Sequence, residues 1–196
     1  LTQGIMIQYV GMLHLSKMST QSLPLFSHPD VMFDDGIKKI VRATSEHAAY
    51  LQHHLREEDV IECKMHGATP WWALHSPLGR QGAETWTGIY KDVPMCMFGT
   101  SPISQYDDFT IGTVWMLGTE AVSTEYRTFL RLSRIVADYL CTRYDIVENV
   151  VPIEHHKTIM WLAWLGFTFN EIPIEIGGVE CVRFVRCASD VEVSFN

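Results

Sequence analysis

Two histidine pairs, His53-His54 and His155-His156, carry side chains that titrate near neutral pH and can serve as acids or bases. Neighbouring residues do not share a helix face, so neither pair has the spacing of metal ligands. His155 is the stronger candidate because it follows Pro152 at the end of an apolar segment. The plainer reading of His155 is a surface or capping residue at a helix start. The five cysteines, Cys63, Cys96, Cys141, Cys181 and Cys187, include no C-x-x-C pair. They read as thiols of a reducing compartment and as small buried hydrophobes, not as a disulfide framework. Cys181 and Cys187 share a strand face but lie too far apart to hold a metal by themselves, and no metal site is expected. Arg127, Arg131 and Arg134 recur at i, i+4 and i+7 on one helix face. Such a row is either solvated or able to reach phosphates from the side. Trp161 and Trp164, three apart, are expected to pack the core or to form a protein-binding surface.

These residues must be positioned by elements that the local patterns delimit. Ile37 to Arg42 reads as a strand, and Ser45 as the N-cap of a helix with Ala48, Leu51 and Leu55 on one face. Arg56 to Asp59 interrupts it, and Val60 to His66 continues to Gly67. Pro70 opens one more helical turn. Glu84 to Tyr90 and Val93 to Thr100 alternate around a Lys91-Asp92 turn as a hairpin, and Ser101 to Asp108 reads as a loop. Thr110 to Gly118 is a central strand, expected to be buried on both faces. Ser123 is placed to cap a long helix to Tyr144, whose apolar stripe is Phe129, Leu132, Val136, Tyr139 and Leu140. Ile146 to Val151 is a strand stopped by Pro152, and Glu154 to Leu165 a helix ended by Gly166. Phe167 to Ile176 and Val179 to Cys187 form a hairpin through Gly177-Gly178. A mixed sheet with helices on both faces is the natural packing for this order.

The chain has 196 residues, a net charge of −8 and 47% hydrophobic residues. This fits one domain with a core large enough to need no disulfide or metal. The acidic balance argues against nucleic acid as a partner, and no apolar run is long enough for a membrane span. Residues 1–36 read as an N-terminal extension and irregular arm, and 37–196 as the domain. Met18-Ser19-Thr20 resembles a translation start, so residues 1–17 are expected to be an upstream extension.

The run Glu154-His155-His156-Lys157-Thr158-Ile159-Met160-Trp161-Leu162-Ala163-Trp164-Leu165-Gly166-Phe167 resembles the late helix of the GNAT (acyl-CoA N-acyltransferase) superfamily, with its Leu-Gly-Phe ending. Together with Trp115-Met116-Leu117-Gly118-Thr119-Glu120, Arg127 to Arg134 and Glu148-Asn149-Val150-Val151, it is similar to phage GNAT-like proteins grouped with internal virion protein A of short-tailed coliphages. The similarity spans roughly residues 39–170. It implies an α/β (α+β) fold: a mixed, mostly antiparallel sheet of six to seven strands, helices on both faces, and a splay between two parallel strands.

The resemblance also implies acetyl-CoA or another acyl-CoA as cofactor. Leu117, Gly118, Thr119, Ser123, Thr124, Arg127 and Asn149 stand at the cofactor-binding positions. Glu84, on the strand where GNAT bases often sit, and His155 stand as candidate catalytic residues. Several enzyme features are altered. Gly118 to Thr124 lacks paired glycines and carries Glu120, with Glu125 close by. Leu162 stands where many family members place an acidic Tyr, and His155 where an Asn is usual. The implied role is therefore an interaction protein with a degenerate acetyl-CoA site, in virion assembly or the virion itself. An active acyl-CoA-dependent N-acyltransferase acting on a protein or small amine is the alternative. The implied partner is a phage or host protein, with a homodimer also allowed, in the cytoplasm of an infected cell or the particle.

Overall fold

The computed structural model describes residues 13–17, 30–106, 109–188 and 191–195. The proposed start at Met18 lies outside them. In chain order the elements are β1 Leu13–Lys17, β2 Val31–Asp34, β3 Lys38–Arg42, α1 Ser45–Leu51, α2 Glu57–Met65, α3 Pro70–His75, β4 Glu84–Tyr90, β5 Val93–Tyr106, β6 Phe109–Gly118, α4 Ala121–Thr124, α5 Tyr126–Cys141, β7 Ile146–Pro152, α6 His156–Trp164, β8 Thr168–Phe169, β9 Ile174–Ile176, β10 Val179–Cys187 and β11 Val191–Phe195.

Nine strands form one sheet in the order β2-β3-β4-β5-β6-β7-β10-β8, with β9 also on β10. β1 and β11 pair separately. All pairings in the large sheet are antiparallel except β6 with β7. The sheet exceeds the expected six to seven strands for two reasons. The end of the arm, Val31–Asp34, is not irregular but pairs with β3 as an edge strand. The penultimate strand is broken into β8 and β9, both antiparallel to β10.

Turn chemistry sets the hairpins. Lys91 and Asp92 both take positive φ, 49° and 60°, as a two-residue turn matched to strand twist requires. Gly177 and Gly178 do the same at 57° and 81°. Gly166 ends α6 in the left-handed region at φ 89°.

Alternation along β5 divides the core. Met97 faces α1–α3 in a cluster with Ala48, Leu51, Cys63, Leu74 and Leu117. Its neighbours Cys96 and Phe98 face α5, through Leu132, Val136 and Leu140. α6 lies on that same side, where Leu162 and Leu165 pack with Val147, Val151 and Phe184. Helices therefore cover both faces. Four cysteines are buried, Cys187 is half-buried, and all five are free.

Four local expectations change. Thr44, not Ser45, caps α1: its side chain accepts from His47 N–H, and the His47 ring accepts from Thr44 N–H. The charged run does not interrupt a helix; Glu57, Glu58 and Asp59 form the first turn of α2, where carboxylates favour the helix dipole. β5 runs through the expected loop to Tyr106, past a register shift between Pro102 and Ser104. The long helix is broken at Glu125, and Ser123 lies inside the short α4 rather than capping α5.

Candidate functional site

β6 and β7 stay in register from Ile111–Ile146 to Thr113–Glu148 and then separate. The separation exposes backbone groups that need partners. Asn149 meets this need, since its Nδ2 donates to Val114 O at 2.8 Å and its Oδ1 accepts from Val150 N–H at 2.8 Å. The splay opens a cavity of about 840 Å³. Val114, Trp115 and Met116 line one side and Asn149, Val150 and Val151 the other. This is why Val114, Trp115 and Met116 are only half-buried, although the strand is central.

Of the residues singled out from sequence, the cavity brings together Ser123, Asn149 and His155. His155 is the N-cap residue of α6 and is half-buried, and Leu162 forms an apolar part of the wall. Leu117 packs instead under α1–α3, on the far face of β6. Thr124 is exposed and outside the cavity wall. Arg127 is exposed and stacks on Tyr126, its Nε donating to the Tyr126 hydroxyl at 3.1 Å. Glu84 is placed elsewhere. It is buried at the start of β4, paired with Arg143 and accepting a 3.0 Å hydrogen bond from the Tyr139 hydroxyl. Both partners come from the end of α5 or just beyond it, so Glu84 anchors that end to the sheet and does not meet His155 in the cavity. Trp164, expected in the core or on a protein-binding surface, is 47% exposed, whereas Trp161 packs on Phe129 and donates to Ser133 Oγ at 3.1 Å.

The turn from β6 into α4 has most of its backbone donors engaged within the protein. Gly118 N–H donates to Asp59 Oδ2 at 2.6 Å and Thr119 N–H to Met95 O at 2.9 Å. Ala121 N–H donates to Thr119 Oγ1 at 3.2 Å. Val122 N–H reaches Thr119 O, Ser123 and Thr124 N–H reach Glu120 O, and Glu125 N–H reaches Ala121 O. Gly118 is required here for a packing reason. A Cβ at this position would lie 2.7 Å from Val122 Cγ2. Val122 itself is buried at 5% exposure.

Sequence reasoning missed the residues of α2 that reach this turn. Asp59 is buried; besides Gly118, it takes a bidentate bond from Arg56, with Nη2 to Oδ1 at 2.8 Å. Arg56 N–H donates to Gly118 O at 3.0 Å, so α2 clamps both sides of that peptide position. Burial raises the Asp59 carboxyl above its usual range, opposed by Arg56 and the Gly118 N–H. One turn on, Glu62 is half-buried and lines the cavity. Burial first, and then the charge of Asp59, push its carboxyl up to about 7. The only sequence signal was the i, i+3 spacing of two carboxylates on a charged helix, which reads as solvated. Cys96, also on the wall, is pushed up to about 12 by burial and is no nucleophile at neutral pH.

The raised Glu62 carboxyl makes stability depend on pH. A folded value near 7 against an ordinary 4.5 means the favourable protonated form is fully present below about pH 4.5 and is lost as pH rises through about 7. Glu62→Gln, neutral at every pH, is expected to raise stability at alkaline pH by on the order of 2 kcal/mol, read as a higher melting midpoint, and to give no gain in acid. Equal effects of the substitution at both ends of a melting series would show that Glu62 is solvated.

The overall fold recurs in solved structures. Spermidine N-acetyltransferase from Vibrio cholerae, in complex with CoA and spermine, superposes with a TM-score of 0.59 at 10% identity, over 80% of this chain and 98% of that one. Ribosomal-protein-S5-alanine acetyltransferase from Vibrio fischeri matches with a TM-score of 0.56 at 14% identity, over 81% and 97%. A GNAT-family acetyltransferase from Streptococcus pneumoniae gives 0.54 at 10%, over 76% and 98%. The chain has the GNAT fold. No family model and no curated protein matches it in sequence. At these identities the GNAT likeness is one of fold, and function must be argued from the site. Among the described residues, no group of three or more His, Cys, Asp or Glu is placed to hold a metal ion. No helix among them is long and apolar enough to cross a membrane.

Proposed function

We propose that this chain is a GNAT-fold interaction protein of phage type, serving particle assembly or the virion, in which the acyl-CoA site is degenerate. The observation that carries the degenerate site is the engagement of the backbone donors of Gly118, Thr119 and Ala121 to Glu125. A pyrophosphate is held by several convergent N–H groups at a helix start. Here the N–H groups of Gly118, Thr119 and Ala121 to Glu125 already have protein acceptors. The exposed Glu120 adds a negative charge beside them. The residues present do not fit the diphosphate of acetyl-CoA in the manner of a glycine-rich loop. Leu162, apolar on the cavity wall, offers no proton where a Tyr acid would stand. The phage assignment and a phage or host protein partner rest on the sequence resemblance over residues 39–170.

Calorimetric titration with acetyl-CoA at fixed low salt tests this reading. Little or no binding is expected, and affinity in the low micromolar range would overturn it. Glu120→Gln alone is expected not to restore binding, because removing the charge frees no N–H group. Val122→Gly, which the sequence invites as a companion change, is unsuitable: Val122 belongs to the core with Cys96 and Leu132, so glycine there would unpack the fold.

A second reading, an active acyl-CoA-dependent N-acyltransferase acting on a protein or small amine, is favoured by the open splay cavity and by Glu62. A carboxyl near 7 on a cavity wall can accept a proton at neutral pH. Under that reading, acetyl-CoA binds tightly and Glu62→Gln abolishes turnover without weakening binding.

A further inference from the structure

The protein is acidic overall, yet one side of it is basic. Arg127, Arg131 and Arg134 are all exposed on α5. Among the described residues, none of them has a carboxylate partner within ion-pair distance. Large apolar side chains sit among them. Ile135 on α5 is 54% exposed, and Met160 and Trp164 on α6 are 72% and 47% exposed. The two helices present one continuous face, because the Arg134 guanidinium lies 5.3 Å from the Trp164 ring centroid.

The opposite side of the sheet has the reverse charge. On α2, Glu57 and Glu58 are exposed and Ile61, one turn on, is 50% exposed. On the adjoining α3, Trp71 and Trp72 are 57% and 46% exposed. Exposed tryptophans flanked by charge are the composition of interface cores, not of ordinary surface.

We propose that these two faces bind each other between successive copies of this chain, giving a head-to-tail assembly. Charge decides the geometry. A two-fold dimer through α5 and α6 would set one arginine row against another, and one through α2 would oppose glutamates. Only a heterologous contact pairs arginine with glutamate and covers apolar side chains on both partners. Because the faces lie on opposite sides of the sheet, each copy keeps one unfilled face, and the contact propagates into a ring or an open filament. Of the residues named on the two faces only Glu58 lines the splay cavity, and the test leaves it unchanged, so the proposal stands or falls separately from acetyl-CoA binding.

Sedimentation velocity on the full chain tests it. Wild type is expected to show concentration-dependent association at about 0.05 M salt and to dissociate at about 0.5 M, where screening is strong. Arg131→Gln with Arg134→Gln removes the basic face; Glu57→Gln with Ile61→Ser removes the acidic one, and neither pair creates a new charged face. Each pair alone is expected to abolish growth beyond the monomer, with unchanged far-ultraviolet circular dichroism. The mixture decides the matter. Each variant retains one intact face of opposite kind, so mixing them is expected to yield one-to-one heterodimers that grow no further. A wild type that is monomeric at both salts, association that persists in either variant, or a mixture that forms no heterodimer would each overturn the proposal.

Discussion

Gly99→Ala is expected to destabilise the protein by about 3 kcal/mol, lowering the melting midpoint by roughly 10 °C. Gly99 sits in β5 opposite Thr85, at the point where β4 begins. A Cβ there would overlap the backbone carbonyl oxygen of Glu84 and crowd Thr85 Cα. Neither is the end of a flexible side chain, so relief requires the two strands to part. The Glu84 side chain would move with them, loosening its hold on Arg143 and Tyr139. Thermal melting checks this directly. A midpoint within a degree or two of wild type would mean that β4 and β5 are spaced more widely than described. Gly112, whose added Cβ would meet the Tyr144 ring at 2.5 Å, is a milder counterpart because a side chain can give way.

Asp59→Ala is expected to cost about 3 kcal/mol, because the Arg56 guanidinium, whose side chain is only 15% exposed, keeps only a 3.8 Å ion pair with the exposed Glu58. It also removes the acceptor of the Gly118 N–H. Asp59→Asn separates the two losses, since an amide oxygen can still accept from Gly118 but carries no charge for Arg56. The double variant Arg56→Ala with Asp59→Ala is expected to recover part of the loss, as removing both partners leaves no stranded charge. If chemical denaturation finds Asp59→Ala within about 1 kcal/mol of wild type, the clamp between α2 and the end of β6 contributes nothing. The raised carboxyl of Asp59 does not contradict the expected loss. Burial opposes its charge, while Arg56 and Gly118 favour it, and deletion removes the carboxylate while leaving Arg56 in place and the Gly118 N–H without its acceptor.

Local chemistry was legible in the sequence. The Lys91-Asp92 and Gly177-Gly178 turns, the stop at Gly166 and the apolar stripe of α5 each depend on a few neighbouring residues, whose backbone preferences and periodicity set the outcome. These signals, in order, were enough for the sheet with covered faces; the splay was implied by the resemblance, and it opens at Asn149, before Pro152. The boundaries that failed were those with competing local signals. Ser45 looked as good a cap as Thr44, but only Thr44 has a histidine at the third helical position to complete a capping box. Ser123 looked like a cap until the bonds of the preceding turn drew it into α4.

What only the tertiary structure decided is which groups face one another across long stretches of chain. Glu84 carries the same sequence signal whether it is a base at a strand end or an anchor; proximity to Tyr139 and Arg143 made it the anchor. Asp59 and Glu62 carry no local sign of burial. Packing of α2 over the end of β6 turned one into a buried clamp on Gly118 and set the other on the cavity wall with a carboxyl near 7. Desolvation and hydrogen-bond partners determine such roles, and both depend on strand order and helix packing, which bring distant residues together in ways no local pattern encodes.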